Sequence, residues 1–414
     1  MSGARPAAAS LTEDEAADQV LAGALRWIED RLEWFAPERW EEFLPRRPFR
    51  PGPLLELLGL VRVLARAGVL AKDAPLATGA LDLAERAASD ASFTRGLRAG
   101  DAFFPYHLNL IALLELLGRP RAESRAACQA LLAADAGAHA QPYKPVLNRI
   151  ELRYFVDRGG FTARACLPEA SALHRESIAA LDPDVLQLSE SETYALTHVV
   201  FYATDFGHRP LDLGGPEPTA RLRETVRVLI GVHLARGSLD LLAEMLLCEA
   251  ALGEGPVMDP LPAEGWNALA RAARPDGAVP GPVHRPEVLA GLQGDKATAY
   301  LFGTCYHTTT AAALAATVRR DRKRPAPSPT GPLMPSADPA HVRAWAREVT
   351  TNAATAPTAI RAAWSARLDP LLVLGLQSHD PDVLAEVLRA AEQLGRADHL
   401  IPQRAAALLA AWTA

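Results

Sequence analysis

The chain has 414 residues, of which 49% are hydrophobic and 22% charged, a composition typical of a globular protein with a substantial core. Its formal net charge of −6 argues against a general basic surface for nucleic acid or anionic lipid. No apolar stretch reaches the roughly 20 residues of a membrane span, and the four cysteines form no CxxC pair. We therefore expect no nucleic-acid or membrane partner. Because residues 1–10 lack the basic start and apolar core of a signal peptide, we expect a cytoplasmic location.

Helical periodicity dominates the chain and predicts an all-α fold. Thr12 and Glu15 form a capping-box pattern at the start of the first helix. Gly68 is suited to end a second helix over residues 54–67, because glycine enters the left-handed conformation without penalty. Glycine and proline punctuation then predicts helices over 75–90, 105–117, 120–135, 143–158, 168–181, 190–205, 217–236, 239–252, 263–273, 287–293 and 299–322.

Six prolines crowd residues 323–339, and such a composition is typical of a stiff, extended connector. We therefore predict a helical main domain over residues 1–322, a Pro-rich linker over 323–339 and a C-terminal helical subdomain over 340–414. The tail contains predicted helices around 340–355, 381–395 and 401–412. The alternative is that these helices are the closing hairpins of the main domain.

Three segments of the main domain place a tyrosine and a histidine at or near the start of an otherwise apolar helix. They contain Tyr106-His107, Tyr194 with His198, and Tyr306-His307. A buried polar group without a hydrogen-bond partner costs about 1–3 kcal/mol. The tyrosines and histidines of the three segments find hydrogen-bond partners most easily if the segments converge on one polar cavity inside a ring of helical hairpins. Helix N-termini facing such a cavity favour an anionic ligand or intermediate.

The middle segment carries the most polar residues on one helix face. Tyr194, His198, Tyr202 and Asp205 follow one another at spacings of four, four and three. Asp205 falls in the last turn of the predicted helix, where a carboxylate opposes the helix dipole. We therefore expect a cation, a metal or a histidine, such as His208, to hold its charge.

Residues 269–281 end a helix with a Pro-Asp-Gly turn, and a polar loop then leads to the helix of Tyr306 and His307. This unit resembles the helix, Asp-Gly loop, helix unit of α/α-toroid enzymes, which include triterpene cyclases, protein prenyltransferase β-subunits and lanthionine cyclases. The resemblance implies a ring of helical hairpins with a C-terminal helical extension. The sequence departs from these enzymes in two respects. It has no Asp-x-Asp-Asp motif, and Tyr306 separates Cys305 from His307 where lanthionine cyclases have an adjacent Cys-His pair on zinc.

The helix around residues 24–29 and the motif Thr-His-x-x-Phe-Tyr-x-Thr-Asp-Phe-Gly, which contains His198 and Asp205, also resemble an uncharacterised actinobacterial family. That resemblance covers roughly residues 15–320. It implies a setting in specialised metabolism without naming a reaction.

The leading hypothesis is an enzyme of natural-product or modified-peptide biosynthesis that catalyses a cyclisation, elimination or isomerisation. His198, Asp205 and His307 would be catalytic groups or ligands of a divalent metal such as zinc, iron or manganese. His107, Tyr202 and Tyr306 would complete the site. Because the sequence has no P-loop or dinucleotide fingerprint, we expect no nucleotide cofactor.

Two alternatives remain open at this level. A non-catalytic helical-repeat scaffold would bind a partner or peptide in its concavity and leave the histidines scattered. A zinc-dependent, lanthionine-cyclase-like enzyme would place Cys305 and His307 on one metal with a second thiolate nearby. The oligomeric state does not follow from the sequence.

Overall fold

The computed structural model describes residues 11–253, 259–321 and 332–413, and every regular element in these residues is helical, which confirms the all-α prediction. No helix in these ranges is both long enough and apolar enough to span a bilayer. Two short 3₁₀ helices cover Leu32–Phe35 and Ala136–Ala138. The α-helices are, in chain order, α1 (Glu13–Asp30), α2 (Pro37–Trp40), α3 (Gly52–Arg66), α4 (Pro75–Ser89), α5 (Ala91–Ala99), α6 (Phe104–Leu116), α7 (Ala122–Ala133), α8 (Val146–Arg158), α9 (Ala170–Arg175), α10 (Glu190–Ala203), α11 (Pro216–Arg236), α12 (Leu239–Leu252), α13 (Pro260–Ala272), α14 (Pro286–Ala290), α15 (Gly294–Asp321), α16 (Pro339–Asn352), α17 (Thr358–Gln377), α18 (Pro381–Gln393) and α19 (Leu400–Thr413).

Most helix boundaries follow the local signals in the sequence. Thr12 and Glu15 form both hydrogen bonds of the capping box at the start of α1. Gly68 has a φ of 68°, the left-handed conformation expected after α3. One predicted helix was too long, and the short helix α2 and two longer helices were missed. The helix over 168–181 is reduced to the six residues of α9, and α5 and α17 were not predicted at all.

Six helices pack against one another in a closed order. Helix α3 packs against α6, α6 against α8, α8 against α10, α10 against α12, α12 against α15, and α15 against α3. Helices α1, α4, α11 and α13 each pack against members of this cycle. These pairwise contacts do not establish the α/α-toroid predicted from the sequence, which stays a prediction.

Side-chain contacts show that α10, α12 and α15 run in the same direction. Near one end, Tyr194 of α10 and Thr308 of α15 both bond to Asp240 in the first turn of α12. Near the other end, Gly207, just after α10, lies against Ala251 of α12 and Val318 of α15. The positive ends of the α10 and α12 dipoles therefore lie at the end that carries Asp240.

Helices α16 to α19 pack mainly against one another, and α17 also packs against α11 and α13. A fully buried ion pair between Arg367 of α17 and Glu264 of α13 crosses this contact. The backbone N–H of Met334 donates to Glu264 at 2.8 Å. Of the predicted linker, residues 323–331 lie outside the described residues. The division into main domain, linker and subdomain stays a prediction.

Candidate metal centre

Two carboxylates of α12 are held in fixed orientations near the first turn of that helix. Asp240 and Glu244 are one helical turn apart, on the same face, and they are 4% and 2% exposed. Tyr194 and Thr308 donate to the two oxygens of Asp240, each at 2.6 Å. Thr197 donates to Oε2 of Glu244 at 2.6 Å. Because buried carboxylates need partners, these hydroxyls both stabilise the two side chains and orient them.

His307 of α15 lies between these carboxylates and Glu56 of α3. Its Nδ1 atom donates to Oε2 of Glu56 at 2.7 Å. Its Nε2 atom faces Oε1 of Glu244 at 3.5 Å and Oδ2 of Asp240 at 3.8 Å. Burial disfavours the imidazolium. The charge of Glu56, hydrogen bonds with Glu244 and Glu56 and the charge of Asp240 outweigh burial and raise the pKa of His307 well above its ordinary value.

The ligand atoms of Asp240, Glu244 and His307 all lie within 4.8 Å of one another. The distances of 3.5 and 3.8 Å from Nε2 allow at most a weak hydrogen bond to Glu244 and none to Asp240. They are close to the separation of about 3.3–3.6 Å expected between ligands that surround a tetrahedral zinc at about 2.0–2.2 Å. Two carboxylates and one imidazole suit zinc, iron or manganese. These three side chains could therefore hold a divalent ion.

A second histidine borders this cluster. The Nδ1 atom of His198 donates to the backbone carbonyl of Tyr194 at 2.8 Å and lies 4.0 Å from Oε2 of Glu244. Since a carbonyl oxygen only accepts, Nδ1 carries the proton, and Nε2 is left to act as a base or as a ligand. The side chain is 36% exposed. His198 thus has a free nitrogen at the solvent-accessible edge of the cluster.

A family model described as a domain of unknown function (DUF6895) matches residues 21–317. The match covers more than half of the chain and includes every residue of the site described above. The chain belongs to the DUF6895 family. No curated protein and no solved structure gives a match. The family's description names no activity, so the site has to be interpreted from its own residues.

The structure does not bring Asp205 to His307. Helix α10 ends at Ala203, and Asp205 follows it in the left-handed conformation, with a φ of 50°. Its carboxylate is bound by arginines and a tyrosine, with Arg62 at 2.9 Å, Arg66 at 3.2 Å, Arg158 at 3.5 Å and Tyr154 at 2.8 Å. The cation expected for this charge is therefore arginine, and His208 is exposed to solvent. An aspartate enclosed by three guanidinium groups is not available as a metal ligand beside His307, so its predicted place in the metal site needs correction.

Three further residues predicted for the site have different surroundings. His107 is buried, bonds to the Phe103 carbonyl at 2.9 Å and packs against Phe93 at 4.8 Å between ring centroids, so it does not join His198 and His307.

Tyr306 is 4% exposed, and its hydroxyl accepts from Arg47 and donates to Glu56. It supports Glu56 rather than facing an open cavity.

Tyr202, unlike His107 and Tyr306, lies next to His198. Its hydroxyl faces Glu151 of α8, and its ring lies 6.3 Å from that of His198. Burial, followed by the charge of Glu151, raises the pKa of the Tyr202 hydroxyl well above its ordinary value. Tyr202 is partly exposed, so it can line the space next to His198.

The thiol of Cys305 does not share a centre with His307. Two positions apart on α15, their side chains point in different directions, and Cys305 Sγ lies 3.8 Å from Nδ1 of His284. Cys305 is 1% exposed, and burial raises the pKa of its thiol. Among the described residues, no cysteine takes part in a cluster of three metal-ligating side chains. The thiolate arrangement of a lanthionine-cyclase-like centre is therefore not formed there.

Sequence reasoning missed Glu56, Asp240 and Glu244, although each carries a recognisable signal. Glu56 interrupts a run of leucines in α3, and Asp240 and Glu244 are the acidic residues on one face of a strongly apolar α12. Isolated carboxylates in apolar helices need partners from elsewhere in the fold. Asp240 and Glu244 lie near the positive end of the α12 dipole. The protein's own carboxylates therefore occupy a position where we expected an anionic ligand.

Proposed function

We propose that this protein is a metal-dependent enzyme that performs acid–base chemistry on a small molecule or a modified peptide. The observation that carries the proposal is the orientation of the His307 ring. Its Nδ1 donates to Glu56 at 2.7 Å, while Nε2 faces Glu244 and Asp240 at 3.5 and 3.8 Å. A histidine oriented by an outer carboxylate, with its second nitrogen directed at further ligands, is the usual arrangement at protein metal sites.

The exposed fractions of the side chains support access by a substrate. His307 is 42% exposed and Glu56 32% exposed, whereas Asp240 and Glu244 are almost fully buried. An ion bound here would therefore have buried protein ligands on one side and accessible space on the other. An open coordination position is what distinguishes catalytic metal sites from structural ones.

An ion held by Asp240, Glu244 and His307 would supply Lewis-acid chemistry, by which a substrate oxygen would be polarised or the pKa of a bound water lowered. His198 transfers a proton through Nε2, since Nδ1 is held by the Tyr194 carbonyl. Elimination, isomerisation and cyclisation all proceed through such proton transfers and need no nucleotide. A role in specialised biosynthesis, suggested by resemblance of the sequence, is part of the same proposal.

The metal site is tested by elemental analysis of the purified protein by inductively coupled plasma mass spectrometry. We expect close to one equivalent of zinc, iron or manganese in the wild type, and loss of that metal in His307→Ala and Asp240→Asn. His208→Ala is the matched control, because it removes an exposed histidine outside the cluster. Circular dichroism establishes that the variants are folded. A folded wild type that takes up no metal even after incubation with these ions contradicts the metal site.

The catalytic role is tested by incubating metal-loaded wild type and His198→Ala with a small-molecule and peptide extract, followed by liquid chromatography and mass spectrometry. An elimination lowers the mass of one component, whereas an isomerisation or cyclisation changes its retention without changing its mass. We expect a component that the wild type converts and the variant does not. A protein that binds metal, retains peptides and converts nothing would favour the helical-repeat scaffold instead.

A further inference from the structure

Glu151 lies on α8, a member of the cycle of six helices, and among the described residues no cationic side chain is bound to it. Asn109 of α6 donates to its Oε1 atom at 2.9 Å, and the Tyr202 hydroxyl faces it from α10. Within the described residues, no arginine or lysine forms an ion pair with Glu151. His198, a titratable side chain of α10, also acts electrostatically on Glu151. The residue is partly exposed to solvent.

Four other acidic side chains on or next to the cycle of six helices have partners. Glu56 is bonded to His307 at 2.7 Å, and Asp205 is enclosed by arginines, the nearest at 2.9 Å. Asp240 and Glu244 would be neutralised by the proposed metal ion, and in this respect the inference rests on the proposed function. Among these five acidic side chains, Glu151 is then the one without a bound or proposed cation. Burial raises the pKa of Glu151, and a cationic ligand would stabilise its ionised form.

Two tyrosines, Tyr106 and Tyr202, interact with this carboxylate. Tyr106 is 39% exposed, and burial and the charge of Glu151 raise the pKa of its hydroxyl. The Tyr202 ring lies 5.1 Å from Tyr154 and 6.3 Å from His198. Aromatic faces attract cations through the ring quadrupole, and a carboxylate among aromatic rings is a common recognition site for ammonium groups. The Tyr202–His198 contact joins this group of residues to the proposed metal centre.

We propose that the substrate carries a protonated amine, which binds between Glu151, Tyr106 and Tyr202 while the reacting part of the molecule lies at the metal centre next to His198. An ammonium group donates hydrogen bonds to the carboxylate and contacts the tyrosine rings. A carboxylate or phosphate group at the same place would meet Glu151 as a like charge. Amine recognition thus determines which end of the substrate faces the metal.

The probe for this site is n-butylamine, compared with n-butanol and butyrate, which have similar shape but are neutral and anionic. Dissociation constants are measured on the metal-loaded full chain by saturation-transfer NMR titration. We expect butylamine to bind at least about tenfold more tightly than butanol and butyrate, and Glu151→Gln to remove that preference. Asp157→Asn is the control, because it removes an exposed carboxylate from the same helix.

A second variant, Tyr106→Leu, removes an exposed ring without touching the carboxylate and should weaken butylamine binding by about two- to fivefold. If Glu151→Gln does not fold, this variant still decides the question. Equal binding of amine and alcohol by the wild type, or amine binding that neither variant weakens, overturns the proposal. Metal content is measured on the same samples. A protein that binds amine but takes up no metal therefore refutes the proposed metal centre and not the amine site.

Discussion

His307 and Glu56 are joined by a hydrogen bond of 2.7 Å between Nδ1 and Oε2, although they are separated by 251 positions in the chain. The bond keeps a proton on Nδ1, and it turns Nε2 toward Asp240 and Glu244. Tyr306 and Arg47 extend the contact, since the Tyr306 hydroxyl donates to Glu56 and accepts from Arg47. Glu56 therefore acts on the proposed ion through His307 and not as a ligand.

Glu56→Gln should weaken metal binding by roughly 10–100-fold, the usual effect of removing an outer carboxylate that orients a histidine ligand. The loss of negative charge also makes the imidazole a weaker donor to the ion. The measurement is a competition titration against a chelating dye. Glu33→Gln is the control, because Glu33 is 73% exposed and lies in a surface ion pair. Unchanged affinity in Glu56→Gln would mean that His307 is not a ligand or does not depend on Glu56.

Asp205→Asn should destabilise the protein at neutral pH, and the difference from the wild type should shrink in acid. Burial raises the pKa of Asp205, but hydrogen bonding and charge from Arg62, with Tyr154 and Arg66, lower it below its ordinary value. A carboxyl group with a lowered pKa in the folded state contributes stability above its unfolded pKa of about 3.9, and this contribution is lost as the pH falls through the folded value.

The measurement is the free energy of unfolding in urea at a series of pH values from 7 downward. The wild type should lose stability more steeply than Asp205→Asn below about pH 4. Asp157→Asn, which removes an exposed carboxylate, should follow the wild type closely. Parallel curves for the wild type and Asp205→Asn would show that the arginines do not stabilise the charge of Asp205.

Arg367→Ala should lower the free energy of unfolding by about 3–5 kcal/mol, because it leaves the carboxylate of Glu264 buried without its cation. The two side chains are 1% and 4% exposed. Arg221→Ala, at an exposed ion pair with Glu217, should change stability by no more than about 1 kcal/mol. Thermal or chemical denaturation measures both. If Arg367→Ala lowers the free energy of unfolding no more than Arg221→Ala does, the contact between α17 and α13 contributes little to stability.

Cys305→Ala should leave the metal content unchanged. Its thiol contacts His284 and Thr304 and lies apart from the proposed ligands. A thiolate ligand would instead make the metal content fall together with the cysteine. Elemental analysis of this variant therefore separates the carboxylate–histidine centre from a lanthionine-cyclase-like one.

The helices could be predicted where the deciding interactions are local. Thr12 and Glu15 lie within one turn of each other, and Gly68 takes its conformation from its own backbone. Helix α17 was missed because it contains Pro370, which ordinarily breaks a helix. In the fold, Pro370 packs against the space left by Gly231 of α11. The glycine that makes room for Pro370 lies on a helix about 140 positions away, so no local sequence pattern predicts it.

The site could be predicted only in part for the same reason. His198 and His307 stand out as polar residues on apolar helices, but their carboxylate partners come from α3 and α12. For Asp205 the sequence indicated a missing counter-charge. Two of the three arginines that supply it, Arg66 and Arg62, lie 139 and 143 positions earlier. A buried charge reveals that a partner is needed, while tertiary packing decides which residue provides it.

The central claim is that Asp240, Glu244 and His307 hold one divalent ion. The most direct test is a crystal structure of the metal-loaded protein, with diffraction data collected on both sides of the absorption edge of the bound element. We expect one anomalous peak at about 2.0–2.2 Å from Nε2 of His307 and from one oxygen of each carboxylate. A well-ordered structure with no anomalous peak among these three side chains, or with a peak elsewhere, would contradict the claim.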